Sequence, residues 1–195
     1  MIIDKEFMPC LEHLELQVLG TSDDVIYFVD HNLYLMGYNE AWKKFALENN
    51  GEDILERFSI NCNIIDAISG DAKEFYLKKY QQAHDAKEPY THEYECSSDS
   101  IYRKFQQTVY PLPQQRGFYI TNHLSVSKPI PYEPLPFSDC YVNSQGFIVQ
   151  CSHCRRVQNH HNKESWDWVP ELVSHPLTNT SHTYCPPCFD FYYRG

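Results

Sequence analysis

Two Cys-x-x-Cys pairs constrain the last quarter of this chain more tightly than any other feature. Cys151-Ser-His-Cys154 opens that segment and Cys185-Pro-Pro-Cys188 closes it. Two such pairs supply four thiolates, the ligand set of a tetrahedral structural zinc site, and each pair lets two sulfurs converge on one ion from a tight turn. A closed shell of four sulfurs has no open position for water. Cys151, Cys154, Cys185 and Cys188 therefore point to a structural Zn2+ that folds protein rather than to a reacting metal. Neither pair is followed by histidine, which excludes c-type haem attachment. Arg155 and Arg156, directly after a ligand pair, are placed to offset the negative charge of a metal tetrathiolate and to hydrogen-bond its sulfurs. His182, three residues before Cys185, is expected in the same supporting role, and His153 is expected to point outward from its turn.

Composition bounds the rest. With 195 residues, 15% aromatics and only seven glycines, the chain can bury one core of ordinary size and a small appendage. The formal charge of −10 lies almost wholly before Phe137, because Arg155, Arg156, Lys163 and Arg194 nearly balance Asp139, Glu164, Asp167, Glu171 and Asp190. Neither part carries the basic stripe that phosphate binding demands, so no nucleic-acid partner is expected. No apolar run approaches the roughly 18 residues of a membrane span. Met1-Ile-Ile-Asp-Lys-Glu lacks the basic-then-apolar shape of a signal peptide. A cytoplasmic setting follows as an expectation, and there paired cysteines serve as metal ligands more often than as disulfides. Cys10, Cys62, Cys96 and Cys140 have no such pairing and read as separate reduced thiols.

Along the chain, the amphipathic stretch Leu11 to Leu19 places a helical segment in residues 1–21. Asp24–Asp30 is rich in β-formers, and Leu33–Tyr38 reads as its hairpin partner. Asn39 caps a helix to about Asn50, with Trp42, Phe45 and Ala46 at helical spacing and Gly51 ending it. Asp71 and Glu74 have the form of a capping box for a longer helix whose apolar face holds Ala72, Phe75, Tyr76, Tyr80 and Ala83. Tyr90–Cys96, Ile101–Tyr110 and Gly117–Leu124 follow as strands. The expected class is α+β, with two early and three late strands closing one five-stranded antiparallel sheet, helices on one face, within residues 22–127. Four prolines between Lys128 and Pro136 make residues 128–139 an extended linker to a zinc-ribbon-like module at 140–195. A chain ending near Pro129 is then expected to fold by itself.

This order of elements is that of a PAS domain, and the motifs resemble one branch of bacterial sensory PAS domains. That branch carries Asn-x-Ala-Trp-x-x-Phe-Ala and a closing Asn-Gly, here Asn39-Glu-Ala-Trp42-Lys-Lys-Phe45-Ala46 and Asn50-Gly51. Its asparagine-rich turn is matched by Asn61-Cys-Asn63, and its Glu-Tyr-x-Cys-x-Ser strand by Glu93-Tyr94-Glu95-Cys96-Ser97-Ser98. Arg103-Lys104-Phe105, with Lys104 in place of a tryptophan, then Pro111-Leu112 and His123 complete the match. The tail resembles a short C-terminal module found after PAS and response-regulator domains in bacteria. Its three parts are here Cys151–Val157, Ser165–Val173 and Ser181-His182 ahead of Cys185-Pro-Pro-Cys188 and a run of aromatics, with Thr183-Tyr184 where a glycine is usual.

The resemblance implies a bacterial signalling protein that senses a small ligand or mediates protein interaction, with no kinase, cyclase or DNA-binding output. Its partner is a protein, including a second copy in a homodimer; such domains pair through the sheet face or an N-terminal helix, which makes residues 1–21 a candidate for that contact. It further implies a small-molecule cavity lined by Trp42, Phe45, Tyr94, Phe105 and Asn122; by chemistry alone the same aromatics are packing residues. The ligand is unnamed. Single histidines at His84, His92 and His123 do not imply haem, and neither haem nor flavin is expected. Without a nucleophile elbow, a phosphate loop or an open metal triad, the chain does not read as an enzyme. A second reading makes the tail a redox sensor, in which oxidation of the zinc thiolates releases the metal and alters partner binding.

Overall fold

The computed structural model describes residues 1–49, 55, 59–68, 70 and 72–193. The Asn50-Gly51 motif and the Asp71 cap lie outside the described residues. The chain forms two compact units. The first comprises Met1–Ala67, Leu77–Glu93 and Phe105–Leu124; the second comprises Ile68–Tyr76, Tyr94–Lys104 and Ser125–Gly195. No helix among the described residues is long and apolar enough to cross a membrane.

The fold class is α+β. Strands β1 (Ile2–Ile3), β2 (Val25–Asp30), β3 (Leu35–Tyr38), β4 (Tyr90–Glu95), β5 (Ile101–Pro111) and β6 (Gly117–Pro129) form one antiparallel sheet in the order β1-β3-β2-β6-β5-β4. The five strands expected from sequence are all present. The sixth is a two-residue edge, with Ile2 opposite Tyr38 and Ile3 opposite Gly37, too short to show a periodicity. Early and late strands meet where β2 pairs with β6, Val29 opposite Phe118 and Val25 opposite Asn122. The turn into β6 requires Gly117: its φ is +138°, and a side chain there would collide with the carbonyl oxygen of Val29.

Within the first unit, β2 is buried at four consecutive positions, Ile26 to Val29, because both of its faces are covered. On one side Tyr27 meets Trp42 of helix α2 (Glu40–Glu48) edge-on at 5.0 Å. On the other, Ile26 and Phe28 join Phe7, Leu11 and Leu112 in a core cluster against which Leu14, Leu16 and Leu19 also pack. No single helical face presents positions 11, 14, 16 and 19 together. The segment accordingly breaks into a 3-10 turn at Met8–Leu11 and a short helix α1 (Leu16–Thr21), rather than one helix from Leu11 to Leu19.

The second unit begins at Ile68 and takes in the first turn of helix α3 (Ala72–Ala86). Its tail holds β7 (Ile148–Cys151), β8 (Val157–Gln158), β9 (Trp166–Asp167), α4 (Pro170–Ser174), β10 (Thr180–Thr183) and α5 (Pro186–Tyr193). The four strands lie in the order β10-β7-β8-β9 over a core of Tyr141, Ile148, Val157, Val169 and Leu172. The proline-rich stretch is built into this unit. Ile130 N donates to Ser100 O at 3.0 Å, Leu135 N to Trp168 O at 2.9 Å, and the Tyr132 ring lies 5.6 Å from that of Trp168. Prolines set the extended path, while the non-proline residues between them keep their N–H groups and side chains available for packing.

Candidate metal centre

The two cysteine pairs arrive from different kinds of structure. Cys151 ends β7, and the chain turns through Ser152 and His153 to Cys154 before returning as β8. Cys151 N donates to Arg156 O at 2.8 Å and Arg155 N to Cys151 O at 3.2 Å, which closes the turn around the pair. Arg155 takes a left-handed φ of +62° to do so. Such a conformation costs about 1–2 kcal/mol in a non-glycine residue, so the surroundings must hold it. Gln150 does this. It is fully buried, its Nε2 donates to Arg155 O at 3.1 Å and Leu172 O at 3.4 Å, and its Oε1 accepts from Arg155 Nε at 3.3 Å.

The second pair sits at a helix start. β10 runs parallel to β7 with Thr183 opposite Cys151, so the next two residues carry Cys185 beside the first pair. Pro186 and Pro187 open α5, where missing N–H groups cost nothing, and Cys188 lies in its first turn. The positive end of a helix also favours thiolates placed there. Cys185 N donates to Cys151 Sγ at 3.4 Å.

All four sulfurs lie within 4.8 Å of one another, and every one of the four residues is buried. The chain thus brings together four cysteines that can hold a metal ion. Hydrogen bonds from Cys154, then Cys185 and Cys188, drive the Cys151 thiol far below the ordinary thiol range. The same bonds to Cys151 push Cys154 and Cys188 up. Four thiols sharing protons in so small a space are a donor set that a cation satisfies better than protons do. Tyr184 and Ala72 complete the buried cluster, with Ile68, Tyr76, Trp166 and Tyr192 packed around it.

The residues expected to support the sulfurs fall out unequally. Arg156 lies 4.4 Å over the Tyr132 ring, with an amino group 3.4 Å from the Tyr132 hydroxyl. Burial alone would lower its pKa, but the charges of Cys154 and Cys185 are among those that raise it above the ordinary value, so it stands within reach of the thiolate charge. Arg155 gives its Nε to Gln150. His182 is opposite Gln150 in the β10–β7 register, and burial lowers its pKa. His153 does not point outward as expected. Its Nδ1 is 2.6 Å from the Tyr192 hydroxyl, and burial pushes its pKa down to about 4, so the neutral ring accepts that hydrogen bond. The aromatic side of α5 supplies the surface that draws it in.

On the other side of the sequence reading, Phe45 and Phe105 meet edge-to-face at 5.4 Å. Both line an open groove of about 1000 Å3 in the first unit, together with Val25, Ala41, Leu124 and the buried Asn122. Trp42 stacks on Tyr38 and meets Tyr27 edge-on rather than standing on the groove wall. Tyr94 belongs to the second unit. Asn122 is tied internally: its Oδ1 accepts from Gln107 Nε2 at 2.9 Å and its Nδ2 donates to Val25 O at 3.1 Å. Gln107 also reaches the Tyr27 hydroxyl at 3.4 Å, and burial pushes the Tyr27 pKa to about 12. Sequence reasoning missed Gln150 and Gln107; a polar residue at an inward-facing strand position was the available signal.

No family model and no curated protein matches this chain. Among solved structures, it is similar to a domain of an HTR-like protein from Haloarcula marismortui, at 14% identity over 54% of this chain and 100% of that one, with a TM-score of 0.39. It is similar to the PAS domain of a Colwellia psychrerythraea protein, at 11% identity over 59% of this chain and 92% of that one, with a TM-score of 0.40. A third likeness is to the PAS domain of nitrogen regulation protein NR(II) from Vibrio parahaemolyticus, at 16% identity over 60% of this chain and 98% of that one, with a TM-score of 0.35.

Proposed function

We propose that the chain is a cytoplasmic bacterial signalling protein in which a PAS-like sheet domain is combined with a structural zinc site. The ion is held by Cys151, Cys154, Cys185 and Cys188, and the protein acts by binding a partner, including a second copy of itself. The observation that carries the metal part is the spacing of the sulfurs. A tetrahedral zinc site with Zn–S of about 2.3 Å has sulfur–sulfur edges of about 3.8 Å. Here Cys154 Sγ and Cys185 Sγ are 3.7 Å apart, and all four sulfurs fall within 4.8 Å. Supporting the signalling part are the PAS-like motifs at Asn39–Ala46 and Glu93–Ser98 and the strand–strand–helix–three-strand order that the chain adopts.

Metal analysis with an absorption spectrum of the purified protein tests this reading. One zinc per chain and no visible band are expected; an iron tetrathiolate, haem or flavin would each reveal itself by colour. Cys185→Ser should reduce the zinc content to near zero, because a three-sulfur site loses both a ligand and its closed shell. Full zinc retention in that variant would remove the assignment. A small ligand, as the PAS resemblance implies, would have the groove beside Phe45, Phe105 and Asn122 available to it.

In the redox alternative, oxidant reaches the thiolates and expels the metal. The four cysteines are between 0% and 7% exposed, which favours the structural role. Fast stoichiometric zinc release under modest peroxide, reversed by thiol reductant and zinc, would favour the sensor instead.

A further inference from the structure

The cluster that encloses the four sulfurs contains a residue from far earlier in the chain. Ala72, the first residue of α3, is 6% exposed within it, and Ile68 and Tyr76 pack against it. Phe75 is 7% exposed and meets the ring of Tyr192 edge-on at 4.6 Å and that of Tyr193 at 6.4 Å. Gly70 lies against β10: its φ is +61°, and a Cβ there would sit 2.5 Å from the carbonyl oxygen of His182. The two elements that deliver Cys185 and Cys188, β10 and α5, therefore also face Gly70 and Phe75.

Of these two elements, β10 is held in its sheet by β7, whereas α5 depends more on the metal. α5 has eight residues, and an isolated helix shorter than about 12 residues is marginal in water. Its first turn is fixed by the cysteines that flank and enter it, so an ion bound there anchors the helix and its aromatic side together. Without the ion, α5 loses its anchor, and Phe75 loses the rings of Tyr192 and Tyr193 that pack against it.

We propose that metal occupancy of the four-cysteine centre sets where α3 begins. With metal bound, the helix starts at Ala72; without it, the turn Ala72–Tyr76 is released and the helix starts further along the chain. The device rests on the metal reading above. It is reciprocal by thermodynamic necessity: anything that loosens the turn Ala72–Tyr76 also weakens metal affinity.

Amide hydrogen exchange on the full chain tests it, comparing zinc-loaded with chelator-treated protein and measuring zinc content on the same samples. In a regular helix the amides of Tyr76 to Lys79 donate to the carbonyls of Ala72 to Phe75. Those amides should exchange at least about ten-fold faster without zinc, while Gln82 to Ala86 change by less than about three-fold. In the reciprocal arm, Gly70→Val and the milder Phe75→Leu should each weaken zinc affinity several-fold in equilibrium competition with a chromogenic chelator; should Gly70→Val fail to fold, Phe75→Leu and the exchange arm decide. If zinc leaves and Tyr76 to Lys79 keep their protection, or if the folded variants hold zinc like the parent, the coupling is overturned while the metal site stands. If the chain binds no zinc at all, the metal reading fails and the coupling falls with it.

Discussion

Asn39 joins three segments of the first unit through one buried amide. Its Oδ1 accepts from Trp42 N at 3.2 Å, which caps α2, and from Ile26 N at 3.1 Å in β2. Its Nδ2 points at the carbonyls of Leu19, Ser22 and Asp24, the last at 2.8 Å. The residue is wholly buried. Asn39→Ala removes the cap, worth about 1 kcal/mol, and leaves buried backbone groups without partners at about 1–3 kcal/mol. A loss of about 2–4 kcal/mol in urea unfolding is expected, and Asn39→Ser, which keeps an acceptor for the cap, should lose less. A loss under about 0.5 kcal/mol for Asn39→Ala, the size of an ordinary surface substitution, would mean that the backbone groups find other partners. The cap was legible in the sequence, because an asparagine before an amphipathic run is a local signal. The bonds to Leu19, Ser22 and Asp24 were not, because backbone carbonyls leave no trace in residue identity.

The same divide runs through the elements. The four metal-competent cysteines were legible from spacing alone, and the five long strands from alternation and turn residues. What supports the first cysteine pair was not. Arg155 and Arg156 drew attention by charge, yet the residue that holds the turn is Gln150, which grips Arg155 by its carbonyl and its guanidinium. The path of residues 128–136 was read from proline content, whereas the packing of Tyr132 against Trp168 and Arg156 depends on partners more than twenty residues away. Gln150→Leu is close in volume and keeps the strand, so it isolates the polar grip. It should leave zinc binding in place but raise the rate of zinc loss to a chelator about ten-fold, the lower end of the effect of residues that orient metal ligands. Comparison with Lys163, exposed in the loop between β8 and β9, supplies the control: Lys163→Ala should leave that rate unchanged. Equal rates for Gln150→Leu and the parent chain would show that the cysteine turn holds itself.

At the scale of the whole molecule, all four metal ligands fall in one of the two compact units. A ligand that binds only the folded state stabilises whatever folds with it, by about 2.7 kcal/mol when present at a hundred times its dissociation constant. For a unit of under a hundred residues each kcal/mol moves the midpoint by roughly 4–8 °C, so the expected shift is on the order of 10–20 °C. Calorimetry of the full chain at a series of buffered zinc concentrations should resolve two transitions. One should climb with zinc, and the other, from the unit built on Phe28, Leu11 and Ile26, should stay where it is. Exchange of the Ile26 to Val29 amides after chelation provides the matching residue-level readout, and they should remain protected. A single transition that moves as a whole with zinc would show instead that the sheet domain cannot stand without the metal, and that the two units unfold as one.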